Sequence, residues 1–372
     1  SNIPANTWVP TGNDYIIDGL WGRLGVQEEF GETYISGATN GLAIQETDDK
    51  VFLYAGAANG GIHLRVYDKS SDSWGDSWNW INKPGSGYVG SQAIGVLSIS
   101  PNGEYLAVGQ GNPSNGGALA APSHGITIGK INVDGSITWL PVSDNALKSL
   151  ANKNIRSMEW AGDNLVASSY TYNPKLKGEL ITLTLAAGEI TDIDIDDKSE
   201  PNLYISKGAD YLVASGYSST IPFDLSITES NSSDFKKLTG EDYDKLLAEF
   251  SDESIRVART AVHNQLVNNK LIVYLGAYNN NGEGGEYISE IFQLTIDTNT
   301  FTIEPYKKYA VTPNIQADTG FDLGTDQADN DNEYGNFSLA VDPTDPSGNS
   351  VFVGGNHFGE GSIVAPTTGG GL

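Results

Sequence analysis

Cysteine is absent from this 372-residue chain, and methionine occurs once. Without cysteine there is no disulfide framework, no thiolate nucleophile and no cysteine-ligated metal. Positive charge is scarce: 21 Lys and Arg stand against 47 Asp and Glu, a formal charge of −26. Nucleic acids and anionic membrane surfaces are gripped by clustered Lys and Arg, so the charge balance argues against both as partners. No apolar run approaches 18 residues, which excludes a transmembrane helix. No His-Glu-x-x-His occurs, so a zinc protease of that kind is excluded too. The opening "SNIPANTWVP" has neither a charged start nor an apolar core, so no signal peptide is read there.

What the chain has in quantity is Gly (44 residues) and Tyr (18), with seven Trp. Glycine, aromatics and Asn/Asp/Ser clusters favour short strands and tight turns over helices. A unit recurs: an apolar run, a small residue, then a polar loop. It reads "LYAGAANGG" at 53–61, "LAVGQGN" at 106–112, "LVASSYTYN" at 165–173, "LVASGYSS" at 212–219, "IVYLGAYNNNG" at 272–282 and "VFVGGNHFG" at 351–359. The second copy, read in full, gives four alternating strands. They are "AIGVLSISP", "YLAVGQ", "ITIGKI" and "SITWLPV", joined by an "NG" turn, a long loop and a "DG" turn. The same order fits the other copies, so the sequence predicts an all-β, six-bladed β-propeller of four-stranded antiparallel blades. The blades fall at 41–82, 93–143, 154–197, 201–239, 256–306 and 336–366 of a single domain, 1–372. "NTWVPTG" (6–12) matches the outer strand "ITWLPVS" (137–143) and is expected to close the last blade, removing two sheet edges. A short helical insertion is expected near 239–250, with Thr239 as N-cap and Leu246, Leu247 and Phe250 at helical spacing.

"GLAIQETDDKVFLYAGAANGGI", "AIGVLSISPNGEYLAVGQGNPS" and "FSLAVDPTDPSGNSVFVGGN" resemble the Asp-box (BNR) propeller superfamily of sialidases, xyloglucanase-type hydrolases and sorting-receptor propellers. The family's box is Ser/Thr-x-Asp-x-Gly-x-Thr-Trp. "NVDGSITW" (132–139) keeps Asp134, Thr138 and Trp139 but has Asn132 and Ser136 where the family has other residues. The resemblance implies a structural role: Asp134 caps the turn and Trp139 packs between blades. "IIDGLWGRLG" (16–25) resembles the Ile-Asp-x-Leu-x-Gly opening of secreted calcium-dependent repeat proteins, which implies an extracellular or surface-exposed protein.

In a four-strand meander, the loops between the second and third strands share an end with the connections between blades. That end is expected to carry Asn59, Asn112, Tyr170, Tyr172, Tyr217, Tyr278, His357 and Phe358, with Arg156 and Arg256 reaching it from the inner strands. Ring stacking and short polar side chains are what glycan recognition uses. In "DQADNDNE", Asp326, Asp329, Asp331 and Glu333 offer converging oxygens for calcium; no organic cofactor is implied.

A sialidase needs three arginines, a Tyr nucleophile with a Glu partner and an Asp acid. Here there are five arginines in all, the family's arginine-bearing opening is missing, and no tyrosine is assignable to the role. A glycosidase needs only two carboxylates flanking the bond, and 47 acidic residues leave that open without naming a pair. The leading expectation is a non-catalytic recognition domain of a secreted or surface protein, part of a larger polypeptide or assembly, binding a glycan or protein on its loop-rich face. The alternatives are a glycoside hydrolase of the same superfamily and a structural or receptor-binding protein of a phage or surface filament.

Overall fold

The computed structural model describes residues 39–57, 60–111, 124–172, 176–186, 189–198, 204–216, 223–232, 234–251, 255–279, 288–309 and 338–354. Six antiparallel sheets follow one another along the chain. Sheet 1 holds β1 (Thr39–Glu46), β2 (Lys50–Ala57) and β3 (Gly61–Asp68), with short β4 (Ser73–Trp74) and β5 (Asn79–Trp80) both on β3. Sheet 2 holds β6 (Ile94–Ile99), β7 (Tyr105–Gln110), β8 (Ile126–Ile131) and β9 (Ile137–Trp139). Sheet 3 holds β10 (Asn154–Ala161), β11 (Asn164–Tyr172), β12 (Leu176–Ala186) and β13 (Glu189–Lys198). Sheet 4 holds β14 (Tyr204–Gly208), β15 (Tyr211–Gly216), β16 (Asp224–Glu229) and β17 (Lys236–Lys237). Sheet 5 holds β18 (Ile255–Val262), β19 (Lys270–Asn279) and β20 (Ile288–Asp297), with β21 (Thr302–Ile303) and β22 (Lys307–Tyr309) both on β20. Sheet 6 shows β23 (Ser338–Val341) and β24 (Val351–Gly354) among the described residues. Every sheet is a meander. The expected closing strand at 6–12 lies outside the described residues.

The chain divides into two compact units at Ile205/Ser206, within β14, with Ser230–Ser233 assigned to the first. In the first unit, alternation along β2 buries Phe52 and Tyr54, which join Ile62 and Leu64 against Ile94, Leu97, Leu106 and Trp139 of sheet 2. The other face of sheet 2 supplies Ala107, Ile126 and Ile128 to a cluster with Ile155, Met158, Leu165 and Ile181 of sheet 3. The first strands lie side by side, β1 against β6 and β6 against β10. In the second unit, Val213, Leu225 and Ile227 of sheet 4 pack on Leu271, Val273 and Leu275 of sheet 5. Ile272, Tyr274 and Ile291 of sheet 5 then pack on Leu339, Val341 and Val351 of sheet 6. Stacking meanders face to face in this way, with first strands adjacent, is the packing of propeller blades.

The recurring small residue has a physical cause. In four sheets the first strand carries one extra residue near its start: Asn40, Gly95, Arg156 and Ala258. The residue after each bulge faces Gly56, Gly109, Ser168 or Gly276 on the second strand. A Cβ on Gly56 would lie 2.5 Å from Ile94 Cγ2 of the next sheet, and one on Gly109 would lie 2.6 Å from Ile155 Cγ2. Each glycine admits the neighbouring sheet's first strand. The bulges bend these strands where the sheets converge.

Among the described residues two helices join the sheets. Helix α1 (Asp144–Leu150), which the sequence reading did not anticipate, starts at Ser143, whose Oγ accepts from Ala146 N at 3.2 Å, and buries Ala146 and Leu150. Helix α2 (Glu241–Glu249) lies in the expected insertion, and Tyr243, Leu246 and the following Phe250 enter the sheet 4–sheet 5 core. Its N-cap is not Thr239 but Gly240, at φ 107°, a backbone region that a β-branched residue avoids. Thr239 is engaged elsewhere, donating its N–H to Phe301 O at 2.8 Å.

Candidate functional site

The loop-bearing end of the first unit is organised by Gln110, the last residue of β7, which is fully buried. Its Oε1 accepts from Ser91 N at 3.0 Å and from His124 N at 2.9 Å. Its Nε2 donates to Val89 O at 3.1 Å and to Thr127 Oγ1 at 2.8 Å. One amide therefore ties the connection between sheets 1 and 2 to the start of β8. Tyr88 reinforces the tie. Its hydroxyl donates to Ser91 O at 3.1 Å, and its ring meets Trp139 edge-on at 4.8 Å between centroids.

Sheets 1 and 3 have their own anchors at this end. Asn82 Oδ1 accepts from Ile62 N at 2.7 Å and from Trp80 Nε1 at 2.9 Å, while Gln92 Nε2 donates to Asn82 O at 3.1 Å. On sheet 3, Glu179 Oε2 accepts from Lys153 Nζ at 2.5 Å and from Ser169 Oγ at 2.7 Å, all three groups being mostly shielded from solvent. Four buried polar atoms here have no hydrogen-bond partner among the described residues: Asn82 Nδ2, Gln92 Oε1, His124 Nδ1 and Asn154 Oδ1. A polar atom stranded in this way costs roughly 1–3 kcal/mol, so four at one end of a unit is a feature to be accounted for.

Of the residues expected to form the rim, Asn59, Asn112, Tyr217, His357 and Phe358 lie outside the described residues, as do Asp326, Asp329, Asp331 and Glu333 of the expected calcium loop. Tyr170 and Tyr172 end β11, where Tyr170 stands opposite both Asn154 and Gly178. Arg256 and Tyr278 are direct cross-strand partners near the end of β18 and β19. Arg156 is the extra residue of the β10 bulge and is buried. The sequence reading missed Gln110, Asn82 and Asn154, because nothing in their local pattern separates an anchoring amide from a solvated one.

The turn at 132–139 is built from the residues that depart from the family's box as well as those that keep it. Asp134 Oδ1 accepts from Ser136 N at 3.0 Å and Ser136 Oγ at 2.6 Å, which holds the Asp134 carboxyl below the usual carboxylate range. Asn132 Nδ2 reaches Ser136 Oγ at 3.0 Å and Thr138 Oγ1 at 3.1 Å. Tyr54 of sheet 1 donates its hydroxyl to Gly135 O at 2.8 Å, so the turn is bolted to the neighbouring sheet. Trp139 lies in the cluster between sheets 1 and 2. Comparable Asp-to-backbone turns start at Asp68 and Asp297, each the last residue of its sheet's third strand.

Burial pushes the phenols of Tyr54, Tyr88, Tyr243 and Tyr274 upward, so none is activated as a nucleophile. One Tyr–Glu pair exists beside α2. Tyr306 donates to Glu249 Oε1 at 2.8 Å, and Lys308 donates to Glu249 Oε2 at 3.0 Å. Lys308 and Tyr306 hold Glu249 below its usual range, and desolvation with the Glu249 bond pushes Tyr306 up to about 12. That polarity keeps the proton on the phenol, the reverse of what nucleophilic attack needs. Among the described residues no group of three or more His, Asp or Glu converges as a metal site.

No family model and no curated protein sequence matches the chain. Solved structures with partial similarity include hydrazine synthase of Kuenenia stuttgartiensis, at 14% identity over 67% of each chain and TM-score 0.40. The Dos1 propeller is similar at 14% identity over 86% of this chain and 67% of that one, with TM-score 0.39. The periplasmic gluconolactonase PpgL of Pseudomonas aeruginosa is similar at 10% identity over 70% of this chain and 96% of that one, with TM-score 0.33. Likenesses of this degree say nothing about activity or blade number.

Proposed function

We propose that this chain is a non-catalytic β-propeller recognition domain that binds a glycan or a protein at the loop-bearing end of its sheets. The observation that carries the reading is the cluster of four buried, unpartnered polar atoms beside the Gln110 scaffold. A floor already held in place, with polar capacity left over, suits a ligand rich in hydroxyl or amide groups. Six blades closed by a strand at 6–12, calcium held by Asp326, Asp329, Asp331 and Glu333, and exposure outside the cell complete the proposal.

The test is a glycan array and a panel of fluorogenic glycosides, run with the parent and with Tyr170→Ala/Tyr172→Ala. Binding without turnover that drops in the double variant supports the reading. Turnover that vanishes when one rim carboxylate becomes an amide replaces it with a glycoside hydrolase.

A further inference from the structure

The two ends of the first unit differ in charge. At the loop-bearing end lie the segments 58–60, 81–93, 111–125, 140–153 and 173–175, which join second strands to third strands and each sheet to the next. They contain four lysines, Lys83, Lys148, Lys153 and Lys175, and one carboxylate, Asp144. The turns at the other end are 47–49, 69–72, 100–104, 132–136, 162–163 and 187–188. They contain six carboxylates, Asp48, Asp49, Asp72, Glu104, Asp134 and Asp163, and one lysine, Lys69. The strand ends keep the contrast. Lys177 and Lys198 stand against Glu179, Asp196 and Asp197 at the first end, and the outgoing segment 199–203 adds Glu200, which makes six lysines to five carboxylates. Glu46, Asp68 and Glu189 against Lys50 bring the other end to nine carboxylates and two lysines. A chain of formal charge −26 thus keeps its excess of carboxylates away from one end of this unit. A neighbouring sheet covers a sheet's face, and these connections lie beyond the faces.

Two of those lysines adjoin the stranded amides in sequence. Lys83 follows Asn82, whose Nδ2 has no hydrogen-bond partner among the described residues, and Lys153 precedes Asn154, whose Oδ1 has none. Gln92 Oε1 is a third such atom, and Gln92 Nε2 donates to Asn82 O at 3.1 Å, which sets the two amides side by side. A Cβ on Gly61 would lie 2.4 Å from Gln92 Oε1 and 2.5 Å from Asn82 Oδ1, so only glycine leaves both amides their room. Lys83 is exposed and opens a turn in which Ser86 N donates to Lys83 O at 3.0 Å. Lys148 is exposed on the last turn of α1. That helix is seated on this end of sheet 2, since a Cβ on Gly125, just before β8, would lie 2.5 Å from Leu150 O. Lys153 is paired with Glu179 at 2.5 Å, so among the described residues Lys83 and Lys148 carry the exposed positive charge here.

We infer, on the recognition reading above, that the ligand of the loop-bearing end is an acidic saccharide. Its carboxylates are drawn to Lys83 and Lys148, and its ring hydroxyls donate to the free oxygens of Gln92 and Asn154. Charge of one sign around a site concentrates ligands of the other sign and speeds their arrival. An acidic peptide would bring the same charge, but its carboxylate oxygens only accept hydrogen bonds. Two of the four stranded atoms are amide oxygens, which need a donor. A uronic acid supplies several hydroxyls beside each carboxylate.

The test is isothermal titration calorimetry of the whole chain with fragments of polygalacturonate, alginate and hyaluronan, set against neutral xylo- and cello-oligosaccharides and poly-L-glutamate. The parent should bind at least one acidic saccharide more tightly than any neutral one, and that binding should weaken as NaCl rises from about 50 to 200 mM. Lys83→Gln/Lys148→Gln, at two exposed positions, should weaken it about fivefold with unchanged melting. Lys50→Gln/Lys69→Gln at the other end should leave it unchanged. Preference for a neutral saccharide, or binding indifferent to salt and to Lys83 and Lys148, overturns the inference and leaves recognition standing. Tighter binding of poly-L-glutamate than of every acidic saccharide also overturns it, because the occupant is then a protein. No binding of any of these ligands removes the recognition reading and the inference with it.

Discussion

Replacing Gly56 by alanine tests the central packing claim, that neighbouring sheets approach closely at the small residue of each repeat. The new Cβ would lie 2.5 Å from Ile94 Cγ2 and 3.1 Å from Ile94 Cβ, and Ile94 is fully buried in sheet 2 with little room to retreat. Overpacking of this sort costs about 1–3 kcal/mol. Alanine also narrows the unfolded ensemble, which returns about 0.4–1 kcal/mol. Taking the middle of each range, the net expectation is a loss of about 1.3 kcal/mol, read from urea unfolding followed by tryptophan fluorescence at unchanged slope. Gly75→Ala is the control: its nearest atom is Val66 O at 3.5 Å, so it should be neutral or slightly stabilising. Ile94→Ala alone should cost about 2–5 kcal/mol. In the Gly56→Ala background it should cost roughly 1 kcal/mol less, because the new methyl occupies part of the space vacated. If Gly56→Ala is as stable as the parent and the double variant is strictly additive, the two sheets do not meet there.

Gln110→Leu should strand Ser91 N and His124 N at roughly 1–3 kcal/mol each, Val89 O keeping its bond from Thr127 Oγ1, and should raise hydrogen exchange across 83–92 well before global unfolding; unchanged exchange would remove Gln110 as the anchor. Trp139→Ala should cost about 3–5 kcal/mol and leave ligand affinity untouched, since Trp139 lies between sheets 1 and 2; lost binding with unchanged melting would reverse its role. Asp345 accepts from Ser347 Oγ at 2.6 Å and from Ser347 N at 2.9 Å, and is held at about 2 against its usual 3.8. A depressed carboxyl stabilises the fold above the higher value, and that contribution fades as pH falls from about 4 towards 2. Asp345→Ala should therefore melt lower than the parent at pH 6 and converge with it near pH 2, and parallel Tm curves would contradict this. Calcium at 100 times its Kd should stabilise the chain by about 2.7 kcal/mol, less so in Asp329→Asn/Asp331→Asn, and equal melting in EDTA and millimolar calcium removes the site.

Much of the architecture was legible in the chain, because strand alternation and turn chemistry are local. The Asn102–Gly103 turn is an example: Asn102 Oδ1 accepts from Glu104 N at 3.1 Å and Gly103 N donates to Ser100 O at 2.8 Å. The Asp134 turn is equally local, built from residues within six positions. What sequence could not separate were groups that look alike in isolation. Gln110, Asn82 and Asn154 are short amides beside polar loops, and only long-range contacts make them anchors or leave them unpartnered. Arg156 reads as an inner-strand arginine, but register makes it the extra residue of a bulge. Trp74 and Trp80 stand opposite Tyr67 and His63 across β3, and Arg65 lies over the rings of Trp74 and Trp78, contacts that no local pattern specifies. The sequence by itself determined the meander and its small-residue period, since each follows from a side chain's relation to its nearest neighbours along the chain. The tertiary structure alone decided which polar and aromatic groups are buried, clamped or left facing solvent, because burial depends on what another sheet brings up against them.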